Sequence, residues 1–164
     1  MSLNLKQIRP PVPRRFFIPT VYGGEFGPDI ERISDHTGLD GEAIIRIFSG
    51  LVLTVYCLGF TCSLAYLGKV PEILHTPRLN TPRKQLPAGS LGMAGPQANI
   101  LPVDTPSGFN YIGRTFVPVY DPTHFPPTAI RPGDLIHCPA VSESEAHTAG
   151  QKALEDFIDD TDNR

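Results

Sequence analysis

Between His75 and Thr115 the chain reads H-T-P-R-L-N-T-P-R-K-Q-L-P-A-G-S-L-G-M-A-G-P-Q-A-N-I-L-P-V-D-T-P-S-G-F-N-Y-I-G-R-T, interleaving prolines, glycines and spaced arginines too densely for a regular helix or a long strand. Each proline fixes φ and removes an amide donor, which breaks both kinds of backbone ladder. Glycine admits tight turns and lets the main chain approach a ligand. A block of this kind is expected to fold as ordered loops and short strands, the sort of segment that shapes a site.

The flanking sequence supplies more regular elements. A short strand is expected from Phe16 to Tyr22, followed by a turn at Gly23-Gly24. Pro28 stands where a helix-starting proline belongs, Asp29 and Glu31 suit the positive end of the helix dipole, and Gly38 is the stop. A second helix follows with Asp40 as N-cap, an apolar stripe of Ile44, Ile47 and Phe48, and Gly50 as its end. From Leu51 to Leu58 the residues are apolar on both faces, which predicts a strand covered on both sides or lining a barrel under a helix. Further strands are expected at Gly89 to Ala94, Asn99 to Val103, Phe109 to Gly113, Phe116 to Tyr120 and Asp134 to Pro139. Many short strands between Pro- and Gly-rich turns predict a mainly β chain with short helices, arranged as a barrel or a sandwich.

At 164 residues the chain fits one domain, and its 18 prolines and 15 glycines push the balance from helix toward turns and strands. The net charge of −3 is unevenly placed. Lys6, Arg9, Arg14 and Arg15 mark residues 1–15 as an extended basic arm. Residues 16–142 form the expected barrel domain, and residues 143–164 an acidic C-terminal tail or short helix. Four cations without interleaved aromatics, on a nearly neutral body, argue against nucleic-acid binding. No apolar run reaches the length needed to span a bilayer, and Cys57, Cys62 and Cys138 are odd in number with no signal peptide ahead of them, so a soluble, cytoplasmic protein with reduced thiols is expected. His36, His75, His124, His137 and His147 show no ligand spacing, and no metal site is expected. Nor is there a nucleophile-elbow serine or a phosphate-binding glycine loop.

Several motifs resemble the family that contains the B subunit of 5-oxoprolinase, the first subunit of allophanate hydrolase and the Kip-type inhibitors of sporulation histidine kinase. They run in order: Tyr22-Gly23-Gly24-Glu25-Phe26-Gly27-Pro28-Asp29, Val55-Tyr56-x-Leu58-Gly59-Phe60, Tyr66-Leu67-Gly68, the doubled T-P-R, Pro87-Ala88-Gly89-Ser90, Ile112-Gly113-Arg114-Thr115 and Arg131-Pro132-Gly133-Asp134. The resemblance covers roughly residues 18 to 141 and implies a cyclophilin-like β-barrel with helices at its ends. It leaves the family's N-terminal α/β domain expected to be missing. The chain also departs from the pattern. Cys62 and Ser63 replace a proline and a glycine, and Phe48 replaces a histidine. The family's Q-T-G-I is Gln97-Ala98-Asn99-Ile100, and its S-P-G-G-W is Thr105-Pro106-Ser107-Gly108-Phe109. Side chains in place of glycines narrow or re-shape a cleft.

The candidate catalytic residues are Glu25, Arg78, Gln97 and Arg114; the candidate substrate-binding residues are Tyr66, His75, Arg83, Ser90 and Thr115. Arg78 or Arg83 can hold a carboxylate or carboxamide through paired N–H donors, or can cap loop carbonyls at the barrel rim. Five positions apart on an extended segment, the two point to opposite sides, while Lys84 belongs in solvent. The resemblance places Ser90 and Gln97 in the cleft, although Ser90 also reads as a turn hydroxyl bonded to its own backbone. Arg114 with Thr115 offers a second cation and hydroxyl, or else pairs with Asp104 or Asp121. Tyr66 and Tyr56 carry phenols suited to a cleft or to the core. Glu25 serves as a general base if partly buried, or as a cap for the following turn. His75 is the one histidine in the informative block.

Three functions are consistent with these residues and this resemblance. The first is an amidase-like enzyme component acting on a lactam, amide or carboxylate-bearing substrate in a barrel-mouth cleft. It would work with a partner subunit of similar fold or as a homo-oligomer, and reach ATP through that partner, since the chain has no cofactor motif of its own. The second is a free-standing, diverged enzyme of specialised metabolism. The third is a protein-binding module of the kinase-inhibitor type.

Overall fold

The computed structural model describes residues 12–59 and 63–159. In chain order these form β1 (Arg15–Phe17), β2 (Val21–Tyr22), a 3-10 turn (Gly24–Phe26), α1 (Ile30–Thr37), α2 (Gly41–Ser49), β3 (Val52–Gly59) and β4 (Leu64–Gly68). A 3-10 turn at Glu72–Leu74 leads to β5 (Arg83–Leu86), β6 (Ser90–Ala94), β7 (Gln97–Ile100), β8 (Thr105–Ser107), β9 (Asn110–Arg114) and β10 (Leu135–His137). Then come α3 (Glu143–Ala149), a 3-10 turn (Leu154–Phe157) and β11 (Ile158–Asp159).

The main sheet runs β11-β1-β10-β3-β4-β7-β6-β9-β2, and β5 pairs with β8 in a separate ribbon. Its two ends are joined by one extended segment. Arg15 to Phe17 pair in parallel with β10, Thr20 bridges to Ala140, and Val21 and Tyr22 pair with β9 at the far end of the order. That segment brings the curled sheet round on itself, and the cyclophilin-like expectation of a mainly β chain with short helices is realised in this form.

Strand alternation gives this sheet two distinct faces. Inward, Phe16, Leu53, Val55, Leu67, Leu91, Met93, Ile100 and Ile112 join Ile33 of α1 and Ile44 and Phe48 of α2 in the main core. Outward, Leu64, Ala94, Leu101 and Tyr111 join Leu86 and Phe109 in a second, smaller cluster beneath the β5–β8 ribbon. The second helix starts as its sequence predicts and the first stops so, but the first begins at Ile30, with Pro28 in the turn before its N-cap Asp29. Asp40 accepts from the Ala43 N–H at 2.6 Å, and Gly38 ends α1 at φ 75° with its N–H on the Ser34 carbonyl.

Other expectations are corrected. The Leu51 to Leu58 strand is open on one face, because Val52 and Tyr56 are about half exposed. Phe116 to Tyr120 is not a strand: Val117 donates to the Thr115 hydroxyl at 3.1 Å and Pro118 lacks an amide, so the segment has no ladder to join. β4, β5 and β8 were not expected as strands. Of the basic arm, residues 1–11 lie outside the described residues. Arg14 is instead half-buried and bonds both carboxylate oxygens of Asp134 and the Ala129 carbonyl, while Arg15 opens β1. The acidic terminal segment, expected as a tail or a short helix, contains the short helix α3, closed at its start by a Ser142/Glu145 capping box, and adds β11 against β1; residues 160–164 lie outside the described residues. Cys57 is exposed and Cys138 buried, while Cys62 is outside the described residues.

Candidate functional site

Where the β5–β8 ribbon lies over the outer face of β4 and β7, a groove of about 320 Å3 opens, lined among others by Tyr66, Arg78, Asn99, Ser107 and Phe109. Its floor belongs to the smaller apolar cluster, on the side of the sheet opposite the main core. The groove is therefore on the flank of the curled sheet and not at its mouth.

The residues that shape this groove are held by polar contacts behind it. The Pro77 carbonyl accepts from Asn110 Nδ2 at 3.0 Å and from Arg32 at 3.3 Å, and the Leu79 N–H donates to the Gly108 carbonyl at 2.8 Å. Arg78 lies between these two anchors. Its backbone is clamped while its guanidinium rests 4.8 Å from the centre of the Phe109 ring. Among the described residues it has no carboxylate partner. Arg83, five positions on, is committed elsewhere: two 2.7 Å bonds join it to both oxygens of Asp29, which also accepts from the Tyr111 N–H at 2.7 Å. The two arginines thus part as the extended segment requires, and the resulting ion pair ties the ribbon to the start of α1.

Deeper in, the Tyr111 hydroxyl lies 2.8 Å from Ser107 Oγ and 3.3 Å from Asn99 Oδ1. Burial pushes this phenol up to about 12, against the opposing pull of its two hydrogen bonds, so it keeps its proton at neutral pH. Among the described residues no histidine or carboxylate lines the groove. The site can bind and polarise an acceptor group, but it has no base of its own to activate a nucleophile.

The expected site residues are divided between several places. Tyr66 and Arg78 line the groove. Arg114 and Thr115 line a different hollow of about 210 Å3, where Arg114 Nε donates to the Ala88 carbonyl and its guanidinium sits 4.9 Å from the Phe116 ring centre, with neither Asp104 nor Asp121 as partner. Ser90 bonds the Pro87 carbonyl at 2.7 Å, the turn geometry. Gln97 is exposed at the start of β7, and Glu25 is exposed in its 3-10 turn with no capping bond. His75 is tied through Nε2 to the Val70 carbonyl at 2.9 Å. Asn99, Ser107 and Phe109 in the lining, and Tyr111 behind it, were not singled out by the sequence as site residues. The signal that could have found the first three is the pair of altered glycine motifs, which contain them. Among the described residues no group of His, Cys, Asp or Glu is placed to hold a metal ion, and no helix is long and apolar enough to cross a membrane.

Comparison with known proteins agrees with this architecture. Residues 3–130 match the model of the carboxyltransferase domain, subdomain C and D. The chain is 42% identical over 126 residues to the B subunit of 5-oxoprolinase from Escherichia coli O157:H7, covering 77% of this chain and 58% of that protein. To the B subunit of 5-oxoprolinase from Bacillus subtilis it is 39% identical over 130 residues, covering 79% and 54%. It therefore spans little more than half the length of these relatives. The crystal structure of a conserved uncharacterized protein from Pyrococcus horikoshii superposes with a TM-score of 0.76 at 41% identity, over 80% of this chain and 61% of that one. The Kluyveromyces lactis urea carboxylase superposes at 0.71 over 90% of this chain and 16% of that enzyme, and at 17% identity this likeness bears on the fold alone. By motif order, family-model match and relatives at about 40% identity, the chain belongs to the carboxyltransferase domain, subdomain C and D, family, whose Escherichia coli and Bacillus subtilis members are enzyme subunits.

Proposed function

We propose that this chain is the substrate-holding part of an amidase-like enzyme. Its ligand is a small lactam or amide that carries a carboxylate, bound in the flank groove, and a partner subunit of similar fold completes the chemistry. The observation that carries this reading is Arg78: a cation at the groove, braced on Phe109 and clamped on both sides of its backbone, yet without an ion-pair partner among the described residues. A guanidinium so placed takes a carboxylate through two parallel N–H bonds. The Tyr66 phenol and the Ser107 hydroxyl lie in the same groove and can bond a carbonyl oxygen.

Cleavage of an amide needs more than this groove contains. With no carboxylate or imidazole in the lining among the described residues, the proposed enzyme draws its activated nucleophile from outside it. The names of the relatives, each a subunit of 5-oxoprolinase, support a partner as its source, and any ATP the reaction uses would enter through that partner. The test is ATP-dependent release of glutamate from 5-oxoproline by the purified chain, alone and with its candidate partner. Turnover is expected only with the partner, and Arg78→Ala should lower kcat/KM about 10- to 100-fold, the worth of a charged hydrogen-bond pair. Absence of turnover in both arms, or an unaffected Arg78→Ala assembly, refutes the proposal.

A further inference from the structure

Two side chains that stand where the resembled family has glycine meet at one atom. Asn99 on β7 and Ser107 on β8 both reach the Tyr111 hydroxyl on β9, at 3.3 and 2.8 Å. Both also line the groove. This cluster re-forms the floor of the site that the proposed function uses, and the role assigned to it rests on that reading.

Donor and acceptor accounting gives the cluster a polarity. Tyr111 has one proton to give and keeps it at neutral pH, because burial holds the phenol at about 12. Its shorter contact is with Ser107, so that hydroxyl is the better acceptor. Ser107 Oγ also accepts from the Phe109 N–H at 3.3 Å. With both of its acceptor positions filled, the serine can only donate to a third partner. Asn99 Oδ1 is the longer contact of the same phenol, at 3.3 Å, and competes with Ser107 for its one proton. Arg78, at the same groove, has donors and no acceptor. Two donor groups therefore converge, Ser107 and Arg78, and the lining also holds the hydroxyls of Tyr66 and Thr105, which can act in either sense.

The geometry points to Ser107, oriented by Tyr111, as a specificity-determining residue that binds a carbonyl oxygen of a small ligand whose carboxylate is taken by Arg78. A glycine at position 107 would offer no side-chain donor. This chain's groove thus selects for the carbonyl by a side chain, and an otherwise similar acid that lacks one forfeits that hydrogen bond.

The experiment compares two probes on the intact chain by calorimetry or ligand-observed NMR. 5-Oxoproline carries both carboxylate and ring carbonyl, and proline carries the carboxylate on the same ring without the carbonyl. The wild-type chain is expected to prefer 5-oxoproline. Ser107→Ala, which removes only the hydroxyl, and Ser107→Gly should each cut that preference about tenfold. Tyr111→Phe should cut it less, by freeing the serine to rotate, and the double variant with Ser107→Ala should match Ser107→Ala alone. If both serine variants keep the wild-type preference while Arg78→Ala loses both probes, this inference is overturned and the groove reading stands. If the wild-type chain binds neither probe, or Arg78→Ala binds both unchanged, the groove reading falls and takes the inference with it.

Discussion

Replacing Asp29 with alanine removes the acceptor at which the ribbon, the first helix and β9 are tied together. The carboxylate is 3% exposed and accepts three bonds of 2.7 Å, two from Arg83 and one from the Tyr111 N–H. Breaking a buried ion pair at one partner costs about 3–5 kcal/mol, because the survivor is left without its counter-charge. Here the survivor is a guanidinium whose side chain is 33% exposed and can recruit water, so the lower end applies, about 3 kcal/mol. For a chain of this size that corresponds to a fall in Tm of about 6–12 °C. Arg83→Ala should cost a similar amount by stranding the buried carboxylate. The double variant should cost far less than the sum of the two, since the second change removes a group already without its partner. Urea unfolding of all four proteins, with calorimetry as a check, measures this. A loss below about 1 kcal/mol for Asp29→Ala, or additive single effects, would refute the argument that this pair anchors the ribbon.

Gly89→Ala should be severe. The residue is at φ +81°, and an added Cβ would collide with the Thr115 carbonyl oxygen, so a loss of about 3 kcal/mol is expected in urea unfolding; a near-neutral effect would show that the turn before β6 can relax. Tyr111 predicts an alkaline instability of definite sign. Its phenol is raised from 10.0 to about 12, so the unfolded chain releases its proton first, and stability should fall as pH climbs through that interval. Tyr111→Phe should make this part of the profile shallower, the buried Tyr22 and Cys138, raised in the same direction, supplying the rest, and an unaltered slope would contradict the burial argument.

Much of the local structure was legible because its signals are local. Gly38, Asp40 and Gly50 bound the two helices through capping rules that act within about one helical turn, and Asp40 and Gly38 make the bonds expected of them. What failed was pairing. Phe116 to Tyr120 looks apolar enough for a strand, but it joins no ladder, whereas β5 and β8 hold polar and proline-rich residues and pair because Arg83 and Leu86 find Ser107 and Thr105 much further along the chain. The site divides in the same way. Arg78 and Tyr66 could be nominated from chemistry and motif, and the groove contains both. Arg114, Thr115, Ser90, Gln97, His75 and Glu25 come from the same dense motifs but lie outside the groove lining. Convergence of Asn99 and Ser107 on Tyr111 depends on three strands crossing, which no spacing along the chain reveals.

Residues 15–22, which serve both ends of the sheet, bear on the order in which the molecule can be made. During synthesis this stretch is made well before its partners at Asn110–Arg114 and Leu135–Ala140, which emerge about a hundred residues later. Until then its hydrophobic residues Phe16 and Ile18 have nothing to lock against. This stretch is thus sealed long after it is made, and a chaperone that shields it would act before, not after, the strands it pairs with arrive.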